Sequence, residues 1–334
     1  MAGTLDRLTV ESELLAANPL GDPSRRPLYA YRPPGVELDH PRPLPGVYVI
    51  QGYTGQLDSW FRREPFEPTM FERVDAMFAA GECPDAIVVF VDCWTSYGGS
   101  QFLNSSATGR YQDYLCDEVV AFVDERYPTA ADRDHRGITG KSSGGYGAMV
   151  VPMMRPDVFG ALASHAGDAL FEVCYAATFR QSARKLRDEF DGSYEVLFEQ
   201  LAEAERFDYE RFKPLEDYGY AACYSPDPDN PGKALLPFEI ETGRIINDVW
   251  ALWLELDPVR MAPRRGDELR SMRRIYLDAG KQDEYFLDLG ARAFSRELER
   301  LGVDHTLELF EAKHGGLTYR YPGAIRELVL ALVD

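Results

Sequence analysis

Gly140-Lys141-Ser142-Ser143-Gly144 is the stretch whose reading decides the fold. It fits G-x-S-x-G, a pattern in which a serine sits on a sharp turn between a strand and a helix. Small residues are needed on both sides of such a turn because the backbone crowds itself there, and glycine has no Cβ to clash. The flanks agree. Arg136-Gly137-Ile138-Thr139 reads as a short strand, and Gly144 to Val151 is small and apolar, suited to a helix packed closely on a sheet. A rival reading takes Gly140-Lys141-Ser142 as the end of a phosphate-binding loop, G-x-x-x-x-G-K-[ST]. That loop needs glycine at position 135, where the chain has His135, so nucleotide binding is rejected.

Outward from this turn, short apolar strands alternate with helical patterns. Val47-Tyr48-Val49-Ile50 and Ile87-Val88-Val89-Phe90-Val91 read as strands, the second with the continuous apolar run of a sheet buried on both faces. Phe71, Val74, Met77 and Phe78 mark a helix between them, and Leu115, Val119, Phe122 and Val123 the next one. After the turn come strands at Ala161-Leu162-Ala163-Ser164, Arg274 to Leu277 and Thr306 to Phe310, and a terminal helix carries Ile325, Leu328, Val329 and Leu332. The alternation predicts an α/β fold, a mostly parallel sheet with helices on both faces. Segments around Leu8 to Leu15 and Leu28 to Tyr31 lack a helix between them and are expected to form an antiparallel edge. Residues 168–268 break the alternation, with helical faces at Tyr194, Leu197, Phe198, Leu201 and at Ile246, Val249, Trp250, Trp253. This stretch is too long for a plain connection. It is expected to be a helical cap inserted into a core of residues 1–167 and 269–334.

A serine hydroxyl needs a base to take its proton, and histidine has the right pKa. Of five histidines, His314 follows the strand Thr306 to Phe310 and precedes Gly315-Gly316, which places it on a loop at a strand's carboxyl end, beside the turn. His305 and His135 lie at the wrong ends of their strands, and His40 sits in a proline-rich approach. His165 ends a strand on the active side and is a candidate pocket residue, with a satisfied structural histidine as the favoured reading. A carboxylate must fix the tautomer of the base. Asp283, three residues past Gly280, is the first choice, Glu284 the second, and Asp278 is expected to shape the turn. The order Ser142, Asp283, His314 is that of the α/β-hydrolases. Two backbone N–H groups must hold the oxyanion. The Ser143 amide and the Tyr53 amide, in the glycine loop Gln51-Gly52-Tyr53-Thr54-Gly55, are the candidates.

Composition narrows the partners. With 36 Lys and Arg against 55 Asp and Glu, the formal charge is −19, which repels nucleic acid and anionic membrane. No apolar run reaches membrane-spanning length, and the N-terminus lacks the pattern of a secretion signal. Five cysteines without C-x-x-C spacing argue against a disulfide framework and a structural zinc site, and point to reduced thiols in the cytoplasm.

With these residues placed, the chain resembles the esterase D-like branch of the α/β-hydrolases, a broad putative esterase family. The likeness runs from Pro45 to Asp334. It rests on Gln51 to Gly55, Asn104-Ser105, Thr108 to Tyr111, Asp113-Tyr114-Leu115, Ile138 to Ala148, Gly280 to Asp283 and Lys313 to Gly316. The resemblance implies an α/β-hydrolase fold and a serine carboxylesterase working through an acyl-enzyme, with no metal or cofactor and a small-molecule ester as partner. The chain departs from the family where Gln51 stands for histidine, and where Lys141 and Ser143 flank the serine in place of His and Met. Backbone donors do not depend on these side chains. Candidate pocket residues are Gly52, Tyr97, Asn104, His165, Trp250 and Trp253, around a pocket expected to be apolar. Acyl transfer to an alcohol or amine, and a non-catalytic binding protein of the same fold, are the competing readings. The oligomeric state, a homodimer included, is left open.

Overall fold

The computed structural model describes residues 1–333; Asp334, the last residue of the expected core, lies outside the described residues. Strands β1 (Thr4–Glu11) and β2 (Arg25–Arg32) form an antiparallel pair, followed by β3 (Gly46–Ile50). Helix α1 (Met70–Ala79) starts on a capping box, with Thr69 and Glu72 each satisfying the other's backbone N–H. Strand β4 (Ile87–Val91) leads to a two-stranded hairpin of β5 (Asn104–Ser105) and β6 (Gly109–Arg110). Helices α2 (Tyr111–Asp113) and α3 (Val120–Asp124) flank a π-helical turn at Tyr114–Val119. Next come β7 (Arg136–Lys141), α4 (Ser143–Met154) and β8 (Ala161–His165). The long segment before the next sheet strand carries α5 (Phe171–Cys174), α6 (Ala176–Glu189), α7 (Tyr194–Glu203), α8 (Pro214–Tyr224), α9 (Asn247–Glu255), α10 (Pro258–Met261) and α11 (Gly266–Arg270). Strand β9 (Arg274–Gly280), α12 (Leu287–Arg300), β10 (Thr306–Phe310) and α13 (Tyr321–Leu332) finish the chain.

The main sheet has eight strands in the order β1-β2-β4-β3-β7-β8-β9-β10. All pairs from β4 to β10 are parallel, and β2 joins β4 antiparallel, so the expected antiparallel edge is present, with its first strand at Thr4–Glu11 and not reaching the expected Leu15. Every residue of β3 and β4 is buried, because helices cover both faces. Helices α4 and α12 share one apolar core with the π-turn helix, and α1 and α13 pack on the opposite face in a second core. A right-handed parallel sheet of this kind gathers its loops at the carboxyl ends of the strands, where ligands bind. The loops after β3, β7, β8, β9 and β10 therefore converge on one rim.

The crossing of β7 into α4 is tight. A Cβ on Gly144 would stand 2.6 Å from the Ile50 carbonyl oxygen, so only glycine lets the helix start this close to β3. Helix α4 is buried along nearly its whole length, which matches its small and apolar sequence.

Candidate active site

Ser142 stands between β7 and α4 with φ 59° and ψ −128°, a backbone state that side-chain-bearing residues rarely adopt. Its surroundings impose that state. The Ser142 N–H donates to the carbonyls of His165 at 3.0 Å and Ala166 at 3.1 Å, and its own carbonyl accepts from the Tyr146 N–H at 2.8 Å. The side chain caps no helix N–H, so the hydroxyl is not committed to the backbone. The strained turn lifts it toward a cavity of about 250 Å³ that His314 also lines.

His314 and Asp283 come from two neighbouring loops tied together by their backbones. Lys281 N–H donates to the Phe310 carbonyl at 2.8 Å, and Gln282 N–H to the Ala312 carbonyl at 3.0 Å. These bonds extend the β9–β10 ladder past the strand ends and bring acid and base together. His314 Nδ1 lies 2.8 Å from Asp283 Oδ2, and Asp283 Oδ1 accepts from the Tyr285 N–H at 2.9 Å. The Tyr285 ring meets the imidazole edge-on at 4.9 Å. Glu284 does a different job. Its Oε2 accepts the His314 backbone N–H at 2.8 Å, and that bond helps hold its pKa below the ordinary value. It clamps the loop and leaves the ring to Asp283.

The loop after β3 lies against the serine. A Cβ on Gly52 would stand 2.9 Å from the Lys141 carbonyl oxygen and 3.3 Å from Ser142 Cβ, so the glycine sets how near the loop comes. Within it, Thr54 N–H donates to Gly98 O and Gly55 N–H to Gly52 O. Tyr53 lies between these in the loop, and both Gly52 and Tyr53 line the cavity. Ser143 is the first residue of α4, where the N–H has no partner within the helix. Its hydroxyl donates to Asp168 Oδ2 at 3.0 Å.

The model of the putative esterase family matches residues 23–316, which is most of the chain. The chain belongs to the putative esterase family. An uncharacterised protein of Corynebacterium glutamicum is 26% identical over 142 residues, covering 42% of this chain and 32% of that protein. The match thus spans about a third of that curated relative's length. Among solved structures, a ferulic acid esterase superposes with a TM-score of 0.62 at 16% identity, covering 99% of this chain and 98% of the other. An S-formylglutathione hydrolase from Staphylococcus aureus superposes with a TM-score of 0.59 at 16% identity, covering 99% of each. At such identities the superpositions establish the α/β-hydrolase fold.

Within this family fold, five of the candidate pocket residues stand away from the cavity. Trp253 and Trp250 are buried in the core of the inserted helices, with Trp253 Nε1 donating to Ser225 Oγ at 2.9 Å. Large aromatic faces go where they remove most area from water, which here is the insertion's own interior. Tyr97 stacks on Phe198 and accepts the Tyr53 hydroxyl on its carbonyl at 2.9 Å, so it supports a liner without being one. Asn104 sits in the β5–β6 hairpin, where its side chain accepts the Asp113 N–H at 3.1 Å. His165 is fully buried and turned to the other face of the sheet. Side chains alternate along a strand. Ser164 donates to the Gly145 carbonyl on the α4 side, so His165 points the other way, onto Tyr321 of α13. There His165 Nδ1 is 2.8 Å from Asp278 Oδ1, and Arg320 Nε donates to Asp278 Oδ2 at 3.0 Å. Asp278 therefore belongs to a buried charged network inside β9 and does not shape the turn.

The cavity is not apolar either. Its walls include Asp168, Glu216 and Asp217, Lys141, and several tyrosines. The sequence reading passed over all three acids. Asp168 was open to the rule that selected Asp283, since it lies just past the carboxyl end of β8. The other two come from α8, and only the packing of the insertion brings them to the cavity. Burial pushes the pKa of Asp168 up, against bonds from Tyr175, Ser143 and Gln101. Lys141 is shifted down by burial, with Asp283, Asp168 and Glu284 opposing. Among the described residues no group of His, Cys, Asp or Glu is arranged to hold a metal ion, and no helix is long and apolar enough to cross a membrane.

Proposed function

We propose that this protein is a serine carboxylesterase in which Ser142 attacks the ester carbonyl, His314 moves the proton and Asp283 orients His314. The observation that carries the reading is the strained Ser142 backbone at the mouth of a cavity shared with a histidine that is itself bonded to a buried carboxylate at 2.8 Å. As Oγ attacks, its proton passes to His314 Nε2. The ring then carries a charge that Asp283, bonded at Nδ1, stabilises. Negative charge gathers on the former carbonyl oxygen. The Ser143 amide at the N-terminus of α4 and the Tyr53 amide beside Gly52 are the donors assigned to it, and one such donor is worth roughly 3–4 kcal/mol. The protonated His314 then gives its proton to the departing alkoxide. Water attacks the acyl-enzyme by the same route and frees Ser142. Residues 168–268 are assigned as a cap, supported by the seven side chains from Cys174 to Tyr220 that they place along the cavity. Five buried free thiols support a reducing, cytoplasmic setting.

Turnover of p-nitrophenyl acetate tests the reading. Wild-type protein is expected to hydrolyse it, and Ser142→Ala to lose the activity by about 10⁴-fold or more. Equal rates in the two would remove Ser142 from the mechanism.

A further inference from the structure

Ester hydrolysis needs His314 held in register with Ser142, yet the two follow β10 and β7, and strands β8 and β9 lie between these in the sheet. We propose that Arg320 is a positioning residue for this reaction. With Asp278 as the joint, it fixes the loop that carries His314 against the turn that carries Ser142. The inference rests on the esterase reading and adds to it a residue that does not line the cavity.

Arg320 closes the base of the loop. The chain leaves β10 at Phe310, passes through His314 and reaches Arg320 just before α13. The Arg320 guanidinium lies over the Phe310 ring, 4.5 Å from its centre, so the residues that bracket the loop are in contact. Its fork also reaches two strands. Nε donates to Asp278 Oδ2 on β9 at 3.0 Å, while Nη2 donates to Glu308 on β10 and to the Tyr276 hydroxyl at 2.7 Å. Tyr276 in turn donates to Glu308 at 2.7 Å. A planar guanidinium holds several acceptors in a fixed geometry, which an ammonium does not. Hydrogen bonds with Lys281, Gln282 and Glu284 pin the half of the loop up to His314. The half after it starts with Gly315 and Gly316, which have no side chains to pack, and depends on buried Leu317 and on Arg320.

Asp278 carries the constraint on to the serine. The Ser142 N–H donates to the carbonyls of His165 and Ala166, and both of those residues are bonded to Asp278. Ala166 N–H donates to the Asp278 carbonyl at 2.7 Å, and His165 Nδ1 lies 2.8 Å from Asp278 Oδ1. The other carboxylate oxygen is the one that Arg320 holds. The Asp278 side chain is fully buried and that of Arg320 mostly so, which shields the pair from screening by salt. One carboxylate therefore joins the support of the nucleophile to the anchor of the base. An ion pair that served the fold alone has no reason to stand at this place. Arg136, bonded to Asp124 at 2.8 Å at the start of β7, is such a pair at the far end of the sheet, and it provides the control.

Arg320→Lys keeps the charge and loses the fork. It is expected to lower kcat on an aryl ester by about tenfold to a hundredfold with little change in KM, because a shift of about 1 Å in His314 misplaces the base without altering the cavity. Arg136→Lys should leave kcat near the wild-type value even where it lowers the melting temperature. A second readout needs no turnover. The proton on His314 Nδ1 is followed as a downfield NMR resonance, assigned by its loss in His314→Ala. It should broaden in Arg320→Lys and stay sharp in Arg136→Lys. Wild-type protein that hydrolyses no ester but shows this broadening would separate a failure of the esterase reading from a failure of the positioning claim. Glu308→Gln, which alters the exposed arm of the fork, is the second variant should Arg320→Lys not fold, and the same changes are expected in it to a smaller degree. A wild-type kcat with an unaltered resonance in the variant that folds, or an equal loss of kcat in Arg136→Lys, would overturn the proposal.

Discussion

Ser142→Gly is expected to fold more stably than Ser142→Ala, although both remove the hydroxyl. The backbone at Ser142, φ 59° and ψ −128°, lies where a Cβ is strained, and such a residue costs about 1–3 kcal/mol. Alanine keeps the Cβ and therefore the strain. Glycine releases it, but loses about 0.5–1 kcal/mol through the greater freedom of its unfolded chain. The net gain is about 0.5–2 kcal/mol. In a chain of 334 residues that corresponds to a rise in melting temperature of about 1–3 °C. Urea unfolding and scanning calorimetry of the two variants read it directly, and since both are inactive, catalysis does not confuse the comparison. The flanking hydrogen bonds, Ser142 N–H to His165 and Ala166 and Tyr146 N–H to Ser142, are backbone bonds that both variants keep. If the glycine variant is as stable as the alanine variant or less so, the turn is not strained and the reasoning from its dihedral angles fails.

Asp283→Asn is expected to lower kcat by about 10⁴-fold, because the amide cannot hold the imidazole in the tautomer that leaves Nε2 free. Glu284→Gln, which keeps an acceptor for the His314 backbone N–H, should cost less than about tenfold, and steady-state kinetics on one aryl ester separates the two. Gly52→Ala should lower kcat with a smaller effect on stability, since its Cβ would press on the Lys141 carbonyl at 2.9 Å and push the Tyr53 amide off the serine; kcat and KM measured beside a melting curve check this. Asp217, whose folded pKa of about 7 lies above the ordinary carboxyl value of 3.8, makes the folded state bind more protons than the unfolded chain between those pH values. Stability therefore falls as pH rises through that window. Asp217→Asn should melt higher than wild type at pH 8, with the advantage shrinking toward pH 4, despite Thr178, Ser182, Glu216 and Lys213 around it.

What could be read from the sequence follows from where each constraint acts. The turn at Ser142 was legible because backbone crowding demands small residues at fixed positions, Gly140 and Gly144, and these are written locally. Asp283 and His314 were legible because a parallel sheet sends the loops after its strands to one rim, so position in the chain stands in for position in space. The strand pattern gave the sheet and its antiparallel edge for the same reason. His165 has the structural role favoured for it and not the pocket role it was a candidate for, and the alternation along Ala161–His165 already separates the two, since Ser164 and His165 must face opposite ways. Trp250 and Trp253 were misplaced because an amphipathic stripe tells which face is buried and not what it is buried against. Glu216 and Asp217 were out of reach altogether. Their place at the cavity depends on how α8 packs across the sheet's rim, and no local pattern encodes that.

A fluorophosphonate probe tests the central claim most directly. Wild-type protein treated with the probe and digested is expected to carry one phosphonyl group on the peptide containing Ser142, formed far more slowly in His314→Ala and absent in Ser142→Ala. Folded wild-type protein that stays unlabelled, or that is labelled at another residue, would contradict the account.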